Sequence, residues 1–188
     1  MTKYVTVDND RFVLYLTEEK IQARVKQLGE QLGDEYDGRI PIFIGVLNGA
    51  FVFMADLIRN VNIDCEIDFM KLSSYGDAKI SSGNVRMLKE LNCQVGGRDV
   101  VIVEDIVDSG LSVDFIIKLI KKENPRSFKV ISLLHKRDAV KIHVPIDYVG
   151  FSIPNYFVIG YGLDYSQKAR NLRAIYRLAD ERINNEGR

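Results

Sequence analysis

The stretch that decides the fold is Val100-Val101-Ile102-Val103-Glu104-Asp105-Ile106-Val107-Asp108-Ser109-Gly110-Leu111-Ser112. Its first four residues are β-branched and predict a strand buried on both faces, because a strand with one wet face would alternate apolar and polar residues. Acids and small residues follow. The spacing of an apolar helix face then appears at Val113, Ile116, Ile117 and Ile120. The predicted order is therefore strand, acidic loop, helix.

The loop has the composition of a phosphate site. Ligands of an open α/β sheet bind beyond the carboxyl ends of the strands, where a helix N-terminus offers free N–H groups. Gly110 permits close backbone approach and positive φ, while Ser109 and Ser112 add hydroxyl donors. Glu104 and Asp105 would repel a phosphate, so ribose hydroxyls or a hydrated Mg²⁺ are their alternative partners. An isolated Asp-Ser-Gly triplet is a plain turn or cap, and only its surroundings favour the phosphate site.

Composition predicts one globular α/β domain over residues 1–188, since 46% of the residues are hydrophobic. Lysine plus arginine equal aspartate plus glutamate at 26 each, so no net field draws the chain to nucleic acid or a membrane. Cys65 and Cys93 lack Cys-x-x-Cys spacing and indicate neither a disulfide scaffold nor a zinc site. With no leader pattern and no apolar run of spanning length, we expect a cytoplasmic protein.

Two further units precede the central one. Residues 11–16 predict a short strand, after which Thr17 caps a helix that runs to Gly33. Residues 41–47 predict a second buried strand, followed by a turn and an apolar helix over residues 50–58.

The remaining segments predict strands and one long loop. Residues 63–69 alternate strictly, which predicts a strand with its acids, Asp68 among them, on a solvated face. Residues 72–88 are too polar to bury and predict either a functional loop or a plain hairpin excursion. Three more strands are predicted at residues 128–134, 148–151 and 157–164.

The central stretch resembles the phosphoribosyl pyrophosphate signature of type I phosphoribosyltransferases, in which a hydrophobic run leads into two acids and then Asp-Ser/Thr-Gly. The likeness runs from about Pro41 to Arg170 and is to the hypoxanthine-guanine branch of that family. It implies an α/β fold with a central, mostly parallel sheet flanked by helices and a small hood built from both ends of the chain. The implied regions are a core at about 36–150, a hood from about 1–16 and 151–188, and a mobile loop at about 72–88.

The same resemblance implies a set of site residues. Ribose and phosphate binding is implied for Glu104, Asp105, Asp108, Ser109, Gly110, Leu111 and Ser112. Pyrophosphate contacts are implied for Leu47, Asn48, Gly49, Ser74, Tyr75 and Arg170. Base contacts are implied for Lys136, Phe157, Val158 and Asp164, and Mg²⁺ binding for Glu104, Asp105 and Asp164.

The resemblance also implies a particular contact or chemical task for several of these residues. By the resemblance, Lys136 donates to the 6-oxo group of the purine, Phe157 stacks on it, and the Val158 backbone contacts its edge. Asp108 is the candidate for the proton at purine N7, as the catalytic acid or base. The Leu47–Asn48 peptide is often cis in such enzymes. Asn48 stands where some relatives carry a basic residue. Without the resemblance, Lys136 would be assigned to a solvated strand end and Phe157 to the core.

The implied reaction joins hypoxanthine or guanine to phosphoribosyl pyrophosphate with Mg²⁺, and gives IMP or GMP plus pyrophosphate. Two alternatives stay open: an RNA-binding regulator of the same fold, and a phosphoribosyltransferase for another base. Balanced charge argues against the regulator. Lys136 with the Phe157-Val158 pair argues against an adenine or orotate enzyme. The resemblance further implies a homodimer or homotetramer.

Overall fold

The protein is described here from a computed structural model, which covers residues 2–74 and 85–179. The strands within these ranges are β1 (Tyr4–Val7), β2 (Asp10–Leu16), β3 (Ile42–Leu47), β4 (Glu66–Ser74), β5 (Val85–Lys89), β6 (Asp99–Val107), β7 (Ser127–Lys136), β8 (Tyr148–Ile153), β9 (Val158–Ile159) and β10 (Ile175–Leu178). The helices are α1 (Glu18–Glu35), α2 (Phe51–Ile58), α3 (Leu111–Lys122) and a short 3-10 helix at Arg137–Ala139. Within the same ranges, no helix is both long and apolar enough to cross a membrane.

The larger sheet has the strand order β5-β4-β3-β6-β7-β8, and every pair except β4–β5 is parallel. The central strand β6 is buried on both faces, as its β-branched run predicts. Val101 and Val103 pack with α1 and α2 on one face, while Val100 and Ile102 pack with α3 on the other. The predicted α/β fold with a mostly parallel sheet flanked by helices is therefore confirmed.

A second, smaller sheet forms the hood. Its four antiparallel strands, in the order β1-β2-β10-β9, come from the two ends of the chain. It has a core of its own around Phe12, Ile159, Ala174 and Tyr176. The sequence predicts β2 but not β1, because the four residues of β1 are only partly buried and too few to show a periodicity.

Helix α1 begins where it was predicted but ends later. The side chain of Thr17 caps it by accepting a hydrogen bond from the Lys20 N–H at 3.3 Å. The helix continues through Gly33 to Glu35, so the predicted end at Gly33 is wrong. Leu32 and Tyr36 are both buried, and burying this last apolar turn outweighs the glycine.

Strand β4 differs from its alternating pattern. It begins at Glu66 rather than residue 63, Ile67 is 45% exposed, and Asp68 is buried. The Asp68 carboxylate accepts hydrogen bonds from the backbone N–H groups of Phe69, Asn92 and Cys93. The predicted solvated face is therefore wrong at Asp68, because those backbone donors compensate for its burial.

The predicted loop at 72–88 is shorter than the sequence indicates. Strand β4 continues to Ser74, and β5 starts at Val85 and pairs with it antiparallel. Regular pairing thus accounts for both ends of the segment. Residues 75–84, which include the predicted pyrophosphate contact Tyr75, lie outside the described residues.

Candidate active site

The carboxyl ends of three neighbouring strands meet at one edge of the larger sheet. Strands β3, β6 and β7 are parallel, so the segments that follow Leu47, Val107 and Lys136 emerge side by side. The hood covers the same edge, since a Cβ added at Gly162 would overlap the carbonyl oxygen of Gly49. The candidate site therefore lies between the loops of the core and a turn of the hood.

The acid pair Glu104-Asp105 lies within the central strand and not in the loop that follows. Strand β6 continues to Val107, and Ile106 pairs with Leu134 of β7. The prediction that the strand gives way to a loop at Glu104 is therefore wrong. The physical reason is that β7 offers ladder partners beyond the end of the apolar run.

Burial makes both carboxyls of this pair hard to ionise. Burial and the neighbouring charge of Asp105 raise the pKa of Glu104 well above its ordinary value. Burial likewise raises the pKa of Asp105 to about 6, although the charge of Arg170 acts in the opposite direction. The two carboxyls therefore share a site that favours a cation or hydroxyl donors as partners.

The loop after β6 has the geometry of a phosphate cradle. Gly110 has a φ of 83° and precedes α3 as its N-cap, and a Cβ there would overlap the Ile142 carbonyl oxygen. The Ser109 hydroxyl accepts a hydrogen bond from the Leu111 N–H at 3.4 Å. Asp108, Ser109, Gly110 and Ser112 line a cavity of about 80 Å³ together with Val113 and with Glu104 and other residues of β6. A larger cavity of about 630 Å³ lies at the other end of α3, away from this chemistry.

The segment after β3 touches the acid pair directly. The Leu47–Asn48 peptide is cis. A Cβ added at Gly49 would overlap the Asp105 carboxylate, so a larger residue at this position would displace that carboxylate. The predicted pyrophosphate segment and the predicted ribose or metal carboxylates therefore meet in space.

Lys136 and Asp108 form an ion pair across the strand ends. Lys136 is the last residue of β7 and is 7% exposed, and its Nζ lies 3.0 Å from Oδ2 of Asp108. Asp108 is half exposed. Strand β7 extends past its predicted end to include Lys136, which turns this side chain toward the site instead of leaving it in a solvated tail.

The hood supplies an exposed aromatic ring beside a buried valine. Phe157 is 46% exposed, and its ring packs edge-on against Tyr165 at 5.7 Å and tilted against Phe12 at 6.2 Å. Val158 is buried, so only its backbone can reach a ligand. This arrangement suits a stacking ring next to a backbone contact.

The predicted strand at 157–164 is mostly a turn. Only Val158 and Ile159 pair as a strand, and Gly160, Tyr161 and Gly162 follow with φ values of 96°, 52° and 98°. The Gly-Tyr-Gly spacing within an apolar run was the signal that could have identified the turn. Close approach of Gly162 to the core is what requires it.

Asp164 and Arg170 are held together after this turn. Arg170 Nη2 lies 2.8 Å from Oδ1 of Asp164, and its Nη1 donates to the Gly162 carbonyl oxygen at 2.9 Å. The N–H of Gln167 donates to the other Asp164 oxygen at 2.8 Å. The predicted metal and pyrophosphate residues of the hood are therefore neighbours.

Among residues 2–74 and 85–179, no group of three or more His, Cys, Asp or Glu side chains is gathered closely enough to hold a metal ion. Mg²⁺ normally takes only one or two protein carboxylates and completes its shell with water and substrate phosphates. The acid pair Glu104-Asp105, next to the 47–49 segment and within range of the Arg170 charge, fits such a shared ion.

Known proteins resemble this chain along most of its length. A hypoxanthine-guanine phosphoribosyltransferase of Bacillus subtilis is 46% identical over 157 residues, which are 84% of this chain and 87% of that protein. A crystal structure of a hypoxanthine-guanine phosphoribosyltransferase from Bacillus anthracis matches with a TM-score of 0.84 at 39% identity, covering 88% of this chain and 98% of that one. The bifunctional protein TilS/HprT of Listeria monocytogenes is 44% identical over 176 residues, 94% of this chain but 27% of that protein. This chain thus spans about a quarter of that relative's length.

The fold is that of the type I phosphoribosyltransferase class. The family model of the phosphoribosyl transferase domain matches residues 15–166. The chain belongs to this family and, by its relatives, to the hypoxanthine-guanine phosphoribosyltransferases.

Proposed function

We propose that this chain transfers the phosphoribosyl group of phosphoribosyl pyrophosphate to hypoxanthine or guanine, with Mg²⁺, and releases IMP or GMP plus pyrophosphate. The observation that carries the proposal is the Lys136–Asp108 ion pair at the rim of the phosphate cradle. It brings a buried donor for a 6-oxo group and a carboxylate for a proton to the same end of the sheet.

In this reaction the bond between C1′ of the ribose and the pyrophosphate oxygen breaks while the bond from C1′ to the purine nitrogen forms. The purine loses one proton from N7, and the Asp108 carboxylate accepts that proton. The N–H groups at the start of α3, with Ser109 and Ser112, hold the 5′-phosphate. Phe157 stacks on the purine, and the Val158 backbone contacts its edge.

The leaving group meets a second set of residues. We assign the pyrophosphate to the Leu47-Asn48-Gly49 segment and to Arg170, with Ser74 at the end of β4 and Tyr75 next in the sequence. Glu104, Asp105 and Asp164 are the residues that would hold Mg²⁺ or bind the ribose hydroxyls. When bound, Mg²⁺ would neutralise the charge that grows on pyrophosphate as its bond to C1′ breaks.

Base choice follows from the chemistry of Lys136. An ammonium is a donor only, so it can keep its bond to Asp108 and still donate to the 6-oxo acceptor of hypoxanthine or guanine. The 6-amino group of adenine would present a donor to this donor, which leaves both groups unpaired in a buried pocket. Such a mismatch can cost roughly 10⁴-fold in catalytic efficiency.

A base-by-base assay tests this proposal. With Mg²⁺ and phosphoribosyl pyrophosphate, hypoxanthine and guanine should be good substrates, xanthine the poorest 6-oxopurine and adenine nearly inert. In Lys136→Ala, kcat/KM for hypoxanthine should fall by about 10- to 100-fold, which corresponds to one charge-assisted hydrogen bond. The Kd for phosphoribosyl pyrophosphate should change by only a few-fold.

Lys129→Ala is the matched control. Lys129 is also an ion-paired lysine of β7, but it binds Glu35 and Asp147 at the far end of the strand. It should keep the parent's preference among bases. Comparable efficiency of the parent with adenine and hypoxanthine would remove the role given to Lys136 and favour a phosphoribosyltransferase for another base.

The proposal also includes the number of chains in the assembly and the cellular compartment. Two or four copies of the chain are proposed on the resemblance alone. The cytoplasm is proposed because both cysteines, Cys65 and Cys93, are free thiols, which fits a reducing compartment.

A further inference from the structure

A buried tyrosine links the hood to the core close to the candidate site. Tyr161 is 2% exposed, and its hydroxyl donates to Oδ2 of Asp56 in α2 at 2.7 Å. Gln22 of α1 donates to the same oxygen at 2.7 Å, and Arg59 lies 3.5 Å from the other oxygen. Burial and the hydrogen bond to Asp56 raise the pKa of Tyr161 well above its ordinary value, so the phenol remains a donor.

Both members of the pair are directly connected to the pyrophosphate half of the site. Asp56 lies in α2, the helix that begins two residues after Gly49. Tyr161 precedes Gly162, whose backbone contacts the Gly49 carbonyl so closely that a Cβ would overlap it. The turn therefore contacts the segment before α2 through its backbone and α2 itself through this hydrogen bond.

The turn also determines where Arg170 lies. The Tyr161 N–H donates to the Leu172 carbonyl at 2.7 Å, and the Gly162 N–H donates to the Arg170 carbonyl at 2.9 Å. The Arg170 guanidinium donates back to the Gly162 carbonyl and pairs with Asp164. Any displacement of Tyr161 is thus transmitted to the two charged side chains.

The surroundings leave room for such a displacement. A cavity of about 340 Å³ adjoins the pair and is lined by Gln22, Val52, Asp56, Tyr161, Arg170 and Leu172 among others. Tyr161 also holds a φ of 52°, which is uncommon for a residue with a side chain and persists only when its surroundings fix it. Without its hydrogen bond the turn can relax into the cavity.

We propose that Tyr161 and Asp56 are positioning residues that set the hood turn against the Leu47–Gly49 segment and so place Arg170 and Asp164 for pyrophosphate. This inference rests on the proposed function. The base subsite depends less on the pair, because Val158 is fixed by its own pairing with Arg177 of β10.

The test uses Tyr161→Phe in the full chain, which keeps the buried ring and removes only the hydroxyl. The KM for phosphoribosyl pyrophosphate should rise about tenfold, and its Kd by calorimetry with Mg²⁺ should weaken to a similar extent, while the KM for hypoxanthine stays within about threefold. Asp56→Ala should have the same effect. Asp56→Asn keeps an acceptor oxygen for Tyr161 and should bind phosphoribosyl pyrophosphate almost as tightly as the parent. This conservative variant keeps the proposal testable if Asp56→Ala fails to fold.

Tyr148→Phe is the matched control, since it removes another tyrosine–carboxylate hydrogen bond, from β8 to Glu35 at the end of α1. If Tyr161→Phe and Tyr148→Phe lower the melting temperature alike and both bind phosphoribosyl pyrophosphate as the parent does, the positioning role is overturned and the proposed function stands. If the parent itself does not bind phosphoribosyl pyrophosphate, both proposals fall.

Discussion

The carboxylate of Asp108 is half exposed and already accepts one hydrogen bond, from Lys136 Nζ at 3.0 Å. One oxygen is thus held by a cation, and Asp108 also lines the cavity of the loop after β6. A carboxylate fixed in this way can accept a proton from a bound purine without first reorienting. The same ion pair gives the buried Lys136 ammonium a partner and fixes its orientation.

Replacing Asp108 with asparagine preserves shape and an acceptor oxygen for Lys136 but removes the base. Turnover should therefore fall by about 10² to 10⁴, the range of general acid–base groups, while the Kd for phosphoribosyl pyrophosphate changes only a few-fold. Steady-state kinetics and calorimetry measure the two effects separately.

Asp138→Asn provides the control for this variant, because Asp138 is an exposed acid in the 3-10 helix directly after β7. It should leave turnover unchanged. A turnover of Asp108→Asn within a few-fold of the parent would exclude Asp108 as the proton acceptor.

At the scale of the element, β4 carries one buried acid, Asp68, that links it to the segments beside it. Asp68 accepts hydrogen bonds from three backbone N–H groups and from Lys89 Nζ at 3.2 Å, which ties β4 to the end of β5 and to the segment after it. Burial alone would raise the pKa of Asp68, but the N–H groups of Cys93, Phe69 and Asn92 together lower it below its ordinary value. An ionised carboxylate is thus part of the fold.

The sign of the pH dependence follows from that lowered pKa. A carboxyl whose folded pKa lies below its unfolded value, near 3.9, stabilises the protein fully at higher pH and loses this contribution as the pH falls toward the folded pKa. Asp68→Asn should therefore lower the free energy of unfolding by about 2 to 4 kcal/mol at pH 7. The difference from the parent should shrink below about pH 4.

Urea unfolding at pH 7 and below pH 4 measures this difference. Asp64→Asn is the control, since Asp64 is an exposed acid of the preceding segment and should change stability little at either pH. A deficit of Asp68→Asn that stays constant with pH would contradict the assignment of an ionised Asp68.

At the scale of the whole molecule, the candidate site belongs to neither sheet alone. The phosphate cradle follows β6 of the larger sheet, whereas Phe157 and Arg170 come from segments attached to the hood. A ligand that contacts both should bind only the folded chain and stabilise it by mass action.

Phosphoribosyl pyrophosphate with Mg²⁺ at about one hundred times its Kd should add about 2.7 kcal/mol of stability. For a chain of this size that corresponds to a rise in melting temperature of roughly 5 to 10 °C. Differential scanning calorimetry at a fixed ligand concentration measures the rise.

The same ligand concentration should have little effect on Gly110→Val. A side chain at Gly110 would overlap the Ile142 carbonyl and displace the phosphate cradle. An equal rise in melting temperature for this variant and the parent would show that the ligand binds elsewhere.

The amino-acid sequence alone was enough to predict the class of fold and the loop that we propose as the phosphate site. The run from Val100 to Val103, the acids after it and Gly110 lie within thirteen consecutive residues, so local preferences suffice to predict strand, turn and helix. The apolar runs of β3 and β7 fixed their strands for the same reason, since burial on both faces leaves a continuous signal.

Only the tertiary structure decided which polar groups those elements bury and which they bring together. Asp68 is buried because it finds donors more than twenty residues away, and β6 continues through its acids because β7 pairs with it. Tyr161 reaches Asp56 across 105 positions of the chain. Partners so far apart leave no periodicity in the sequence, and only the tertiary fold brings them within hydrogen-bonding distance.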